Sequence, residues 1–493
     1  MGKPFMFGEF APDLSLLSDK AVHKAQNVLP ELDGYSPFSA FISLGVDPLP
    51  SLCLGVISVK GTDGVSRTFF GTDTKLFELG GTALVDQTNV GGDYSLDEDE
   101  HWDFTQYKNK LVATCISEEV QAIDLGANNF VDLFTSTKKP RARYATVANL
   151  DWLVLANTVD DDDLERPTRV WWSSRGDIAD MDPDINNKSG FRDLDYLYGD
   201  IVGIYSREYT IVYQERALHR MTYVGGDIIF RFDLISTNLG PLSRGAITHF
   251  AGNSFFLSRG GFYQFDGSSV MPIGEEKVNN YVLDQLDYSS RPYITSAVYP
   301  RRSIVAFGVP VAGGKYSSRI LLYNWQIKRW SEIIISIEKL LSSYTLGVSV
   351  DDSDYEDLYV DSYPQVDWPV DDAAFASGTS FFSGVDLNHN YVGSLGDNLP
   401  ATIETKYVNV AERVITDTIV PLIENVVNPQ LYVIVRDDLG DSETIYGPFD
   451  RNLFYEFVPV IQGRFIRFRI TFDGFTKATG LDVSFKKVGG RNA

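Results

Sequence analysis

Carboxylates are the most conspicuous reactive groups in this chain. They cluster as Asp97–Glu100, as Asp160–Asp163 and in a broader run from Asp351 to Asp357. Closely spaced carboxylates are hard oxygen donors of the kind calcium takes. None of the three runs has the central glycine and terminal glutamate of an EF-hand loop, so solvated acidic loops are the simpler reading. The five histidines, His23, His101, His219, His249 and His389, are scattered, and no two have metal-ligand spacing. His249 sits in an apolar strand pattern and reads as a core or edge residue. The sequence holds no nucleophile-elbow motif, no P-loop and no dinucleotide fingerprint. A glycosidase needs two carboxylates at a fixed separation in one cleft, and no motif marks such a pair. The expectation is therefore no catalytic residue, no metal site and no cofactor.

Other residue types offer weaker chemistry. Ser174-Arg-Gly-Asp177 contains a tripeptide that integrins read, but a turn explains it. Lys138-Lys-Pro-Arg-Ala-Arg143 is the only dense basic cluster, suited either to phosphate or to a salt-bridging subunit contact. Trp102, Trp152, Trp171, Trp172, Trp325 and Trp330 could stack on sugar rings. Most lie in strand patterns, which favours core packing. Cys53 and Cys115 could pair, yet nothing in the sequence requires it.

Composition narrows the classes further. Of 493 residues, 44% are hydrophobic and 13% aromatic, a leaning towards β-structure. Lysine and arginine number 43 against 67 aspartates and glutamates, a formal net charge of −24. Such a surface repels phosphate and disfavours nucleic-acid binding through counterion release, while letting DNA pass without sticking. No run of about 18 apolar residues exists, so no membrane span is expected. The opening stretch does not read as a secretion signal, because Gly, Glu, Pro and Asp interrupt its apolar residues. Met6 stands where a myristoylation pattern needs Ser or Thr.

The elements that must position these residues recur along the chain. Phe255–Leu257 and Phe262–Phe265 read as a hairpin, turned through Ser258-Arg-Gly-Gly261 by glycines that accept positive φ. Similar units appear at Leu54–Glu78, Trp102–Ile123, Tyr144–Trp172, Ile201–Met221 and Ile294–Trp330. Their spacing of about 40 to 50 residues is that of propeller blades. A seventh strand pair is expected at Thr379–Val385 and Tyr391–Leu395. The fold class is thus all-β: a β-propeller of six or seven blades, then a C-terminal β-sandwich, with an N-terminal arm.

Domain boundaries follow. Residues 1–45 read as the arm, with a short helix expected within Asp13–Gln26. Residues 46–400 read as the propeller, with an acidic irregular insert near 340–378. A helix over Glu275–Leu286 is expected to lay Val278, Val282 and Leu286 on the propeller rim. Residues 401–493 carry longer alternating strands. In Arg464–Phe472, Ile466, Phe468, Ile470 and Phe472 point one way and Arg467, Arg469 and Thr471 the other, the mark of a half-buried strand.

Several local signatures, in this order, resemble the tail nozzle (hub) proteins of short-tailed bacteriophages, also called packaged-DNA stabilisation or tail tubular B proteins. They are Asn27-Val-Leu-Pro followed by Gly34-Tyr-Ser-Pro-Phe38, then Arg169-Val-Trp-Trp-Ser-Ser-Arg-Gly-Asp177. Next come Ser258-Arg-Gly-Gly-Phe-Tyr-Gln-Phe-Asp-Gly267 with the helix after it, and Gly384-Val-Asp with His389, Gly393 and Ala401-Thr-Ile-Glu-Thr405. Met181 departs from the pattern, standing where a tryptophan is expected. The resemblance implies a structural virion protein without catalysis, made in the host cytoplasm and built into the tail. It implies a ring, typically of six copies, docked on the adaptor ring, with tail fibre or needle proteins as further candidate partners. Such a ring extends the channel for double-stranded DNA without reading its sequence, and retains and then releases the genome. The alternative from another class is a propeller that binds or hydrolyses host surface glycan.

Overall fold

In the computed structural model the hairpin of Asn253–Ser258 and Gly261–Phe265 forms as expected, with Ser258 opposite Gly261. Gly261 has φ +118°, and a Cβ there would fall 2.1 Å from Asn279 Cγ. Asn279 fills that space and locks the turn: its Oδ1 accepts from the Phe262 amide at 3.1 Å, and its Nδ2 donates to the Gly260 carbonyl at 3.3 Å. Residues 2–18, 20–97, 99–207, 209–344 and 380–487 are described. The Asp351–Asp357 run lies outside them.

Strand alternation explains why such hairpins assemble into a ring. Successive side chains of one strand point to opposite faces. Trp152, Val154 and Ala156 pack towards Ile204, Val212 and Phe230, while Leu153 and Leu155 pack towards Tyr107, Val112 and Leu133. Each sheet is therefore apolar on both faces and needs a neighbour on each side. Seven such interfaces close the circle, the last through Cys53, Phe70, Leu341 and Val385.

Seven antiparallel quartets result. Blades 1 to 5 start at the inner strands Gly55–Lys60, Asp103–Tyr107, Arg141–Ala148, Ile201–Ser206 and Ile247–Phe250. Blade 6, Thr295–Tyr299 to Arg329–Ile333, continues into the large C-terminal sheet. Blade 7 comprises Lys339–Tyr344, Ser380–Val385, Tyr391–Asn398 and, as its outer strand, Ser39–Ser43 from the N-terminal arm. The expected seventh strand pair is thus present, and the ring is closed by sequence from both ends of the propeller region. Leu340–Tyr344 belongs to this blade, not to an irregular insert.

The arm differs most from expectation. The described residues of Asp13–Gln26 form no helix, where one had been expected; Ala21–Gln26 is a strand. Val22 and Ala25 are buried, and the strand pairs antiparallel with Ala401–Thr405 and touches blade 6 at Gln26–Glu332. Tertiary pairing overrides local helical spacing here. Asp13 instead caps the short helix Asn279–Leu283, accepting from the amides of Asn280 at 2.7 Å and Tyr281 at 2.8 Å. That helix is shorter than expected, but Val278, Val282 and Leu286 are buried as expected. Arg329 clamps the arm, donating to the carbonyls of Glu31 at 2.6 Å, Leu32 at 2.8 Å and Phe7 at 3.2 Å.

The C-terminal part folds into two layers joined by the 17-residue strand Val408–Glu424. Gln462–Phe472 anchors one layer; Lys477–Lys487, paired with Gly2–Met6, anchors the other. Phe468 of the first faces Phe5 at 6.4 Å and Phe485 at 6.5 Å from the second. The strand is half-buried as read at Arg469 and Thr471, but its polar face is fully covered at Arg467. Arg467 is only 5% exposed because it meets Glu404 at 3.0 Å and Glu443 at 2.7 Å.

Candidate functional site

The charged runs are consumed by one another. Lys138 bridges Asp161 at 2.8 Å, Arg141 bridges Asp163 at 3.0 Å and Arg166 bridges Asp162 at 3.0 Å. Asp160 meets Arg169 and accepts from Trp171 Nε1 at 3.1 Å. Lys138 and Arg141 of the basic cluster are thus paired within the chain. Among the described residues no group of three His, Cys, Asp or Glu is placed to hold a metal ion. Cys53 and Cys115 are both free and buried, which pushes each thiol up to about 12.

Contacts between non-adjacent blades span the mouth of the ring. His101, at the entry to blade 2, meets the carbonyl of Pro292, before blade 6, at 2.9 Å. Tyr293 donates to Asp99 at 3.2 Å. Asp103 of blade 2 pairs with Arg244, before blade 5, at 3.0 Å. Burial drives His101 down to about 3 and raises Asp103. Tyr205 and His249 stack at 3.4 Å and 4° on the inner strands of blades 4 and 5. Burial of its ring holds His249 well below its ordinary range, and the residue is half-buried on its strand, in keeping with the core-or-edge reading.

Trp102, Trp152, Trp171, Trp172 and Trp330 are buried as expected, Trp152 and Trp330 fully, while Trp325 is half-buried against the core. Trp172 nonetheless lines an open groove of about 390 Å³. The groove runs between the 183–192 segment of blade 3 and the 227–230 turn of blade 4. Trp172 lies opposite Gly190 in the strand ladder, and a Cβ on Gly190 would come 3.1 Å from its ring. The indole Nε1 is buried and has no hydrogen-bond partner. Phe191, 43% exposed, turns its ring to the opposite face of blade 3, between Trp171 at 4.7 Å and the Arg169 guanidinium at 4.2 Å. On the blade 4 side of the groove, the Phe230 amide donates to the Ile228 carbonyl at 2.6 Å around Ile229, which has φ +58°. This tight turn is strained for a β-branched residue. The neighbouring Arg-Gly-Asp segment is a turn: Asp177 caps the Ala179 amide at 3.0 Å and Arg175 pairs with Asp151 at 3.0 Å. Met181 is fully buried beside Trp171, so the departure at that position leaves blade 3 intact.

A second surface feature had no counterpart in the sequence reading. Between Thr444–Asp450 and Gln462–Phe472 the chain projects a tight loop. Asn452 Oδ1 accepts from the amides of Phe454 at 2.8 Å and Glu456 at 3.0 Å. This ordered turn turns Leu453, Phe454 and Tyr455 outward, 95%, 80% and 66% exposed. Val458, Val460 and, on Thr444–Asp450, Ile445 are exposed as well. Thr444–Asp450 pairs on one side only, so it is also a sheet edge.

No protein-family model and no curated protein sequence matches the chain. Solved structures similar to it include BamB from Moraxella catarrhalis, with 11% identity, 75% of this chain and 92% of that chain covered, and a TM-score of 0.37. A chain of the mitotic checkpoint complex has 6% identity, coverage of 74% and 96%, and a TM-score of 0.39. The computationally designed Ika8 protein has 8% identity, coverage of 75% and 95%, and a TM-score of 0.37. The strand pairing itself defines this chain as a β-propeller joined to a C-terminal two-layer sheet.

Proposed function

We propose that the chain is a structural subunit of a short-tailed bacteriophage tail nozzle, assembling with its own copies into a ring. One observation carries the reading: a stiff body presents an ordered apolar tip, Leu453-Phe-Tyr455, fully to solvent. Exposed apolar surface of this kind marks a protein contact. The body is stiff because strand pairing runs from blade 6 through Ala21–Gln26 into the C-terminal sheet without a linker. The mouth of each propeller is spanned by the His101, Asp99 and Asp103 contacts, so a path for duplex DNA is one enclosed by several copies. The net charge of −24 favours a wall along which DNA slides.

The test is the mass of the purified chain in solution, alone and with the adaptor ring of the same virion. A discrete closed ring, about six copies and joined by heterologous contacts, supports the reading. Phe454→Asp with Leu453→Asp should then leave a folded monomer. A wild-type monomer that also ignores the adaptor overturns it.

A further inference from the structure

We infer that in the ring proposed above, and resting on that reading, the Leu453–Tyr455 tip of one copy seats in the groove between blades 3 and 4 of the next copy. The contact is head-to-tail, because each chain offers its tip on one flank and its groove on another. The tip belongs to the C-terminal sheet, which joins the propeller at blade 6. The groove lies on the outer strands of blades 3 and 4. Two different surfaces of one chain that fit each other make heterologous contacts, and these close into a ring where the rotation allows.

The groove is open and apolar on both sides. Ile185 from blade 3 and Ile228 from blade 4 are 52% and 65% exposed, with Pro183 beside Ile185 and with Trp172 and Phe230 beneath. Apolar surface left to water in this way marks a contact site. A helix, about 10–12 Å across, is too wide for a space of this size, whereas the apex of a tight turn is not. Leu453 and Phe454 form such an apex. The Asn452 side chain already holds it in shape, so little conformational freedom is lost on docking.

The polar groups of the two surfaces also match. Trp172 is 4% exposed, and its Nε1–H has no acceptor. A buried donor in that state gains from any carbonyl brought to it. The carbonyls of Leu453 and Phe454 accept no backbone hydrogen bond among the described residues. Charge is complementary as well. At the groove, Asp227 has no hydrogen bond or ion pair among the described residues, and Arg192 has none beyond its place over the Phe232 ring at 5.5 Å. At the tip, Arg451 lies over the Tyr455 ring at 4.7 Å, and neither Arg451 nor the Glu456 carboxylate has an ion pair among the described residues. Each surface thus brings one free cation and one free carboxylate, Arg451 for Asp227 and Arg192 for Glu456. Such pairs set register and orientation at an interface.

The experiment measures the mass of the full chain wherever the wild type forms its ring, alone or on the adaptor. Ile185→Asp with Ile228→Asp, both at exposed positions, should abolish the ring as Leu453→Asp with Phe454→Asp does, with the thermal melt unchanged. Each of these variants keeps one half of the contact. Mixed at about 100 μM, the groove variant and the tip variant should form a one-to-one pair that grows no further. Trp172→Phe, which keeps an aromatic floor but removes the N–H, should weaken that pair about tenfold. A ring that survives the groove substitutions, or two variants that stay apart when mixed, overturns the inference and leaves the ring reading standing. A wild type that stays monomeric and ignores the adaptor overturns the ring reading, and the docking with it.

Discussion

The propeller and the C-terminal sheet bury their strands by different means. Between blades apolar side chains carry the packing, because two-faced strands meet two-faced strands, and buried carboxylates are tied in pairs, Asp103 to Arg244 at 3.0 Å and Glu338 to His389 at 2.7 Å. The C-terminal layers place an ion network inside instead. Fully buried Glu404 meets Arg467 at 3.0 Å and Arg469 at 2.5 Å, and Glu443 ties Arg467 to Arg436 and to the Tyr407 hydroxyl. The difference follows from how each is assembled. A blade repeats one local pattern, and its neighbours are next in sequence. The C-terminal layers gather Gly2–Met6, Ala21–Gln26 and Ala401–Lys487 from both chain ends. Apolar contacts alone discriminate poorly among registers of such strands; a buried charge left without its partner is costly, so the network penalises every wrong register.

That contrast can be tested by removing one element from each side. Glu404→Ala leaves two guanidinium groups facing each other in a closed layer. It should destabilise the chain by about 3–5 kcal/mol, seen as a lower denaturation midpoint. In the propeller, Trp330→Ala removes a fully buried ring packed between Phe262 and Tyr323, each at 4.8 Å, and a donor to Ile273 at 2.9 Å. A loss of about 3–5 kcal/mol is expected there too. The two should part on conservative replacement. Trp330→Phe should recover much of the stability, whereas Glu404→Gln should recover little, since the amide cannot neutralise two cations. Equal recovery would break the comparison.

A smaller effect belongs to the turns. Gly261→Ala forces a side chain into the Asn279 position at φ +118° and should cost about 2 kcal/mol. The same change at Gly64, with φ +81° but no atom within 4 Å of the added Cβ, should cost less.

Acid should act on both regions in the same direction. Burial holds His23, in the C-terminal layer, at about 4, and His101, at the propeller mouth, at about 3. An unfolded histidine takes its proton near 6.5. Both folded values are lower, so the unfolded state binds more protons below that pH. The stability tied to neutral histidine is complete above about pH 6.5 and is lost as pH falls towards 4 and 3. His101→Gln should flatten part of the decline in melting temperature between pH 7 and pH 4, and His23→Gln another part. No change in the slope from either would place the acid sensitivity elsewhere. The smallest effect is on the surface: Lys138→Ala should leave the melting temperature unchanged within error, since its Asp161 bridge is exposed.

Much of the blade architecture was legible in the residues. Short apolar runs such as Trp152–Ala156, with Asn or Gly turns between them, determined many of the strands, their order and the all-β class, because those signals are local. The buried face of the 278–286 segment was legible for the same reason. The arm was not. Its strands are two to six residues long and repeat nothing, and the partners of Gly2–Met6, Ala21–Gln26 and Ser39–Ser43, 300 or more residues away, exist only once the chain has folded. The fate of Lys138–Arg143 was likewise tertiary, since its partners lie on the facing turn of the same blade. Trp172 illustrates the limit most clearly. In sequence it is one of several strand tryptophans, and like them it is buried. Only the glycine opposite it, the 183–185 loop and a turn from the next blade decide that its ring forms the floor of a groove, because exposure is a property of what neighbours leave uncovered.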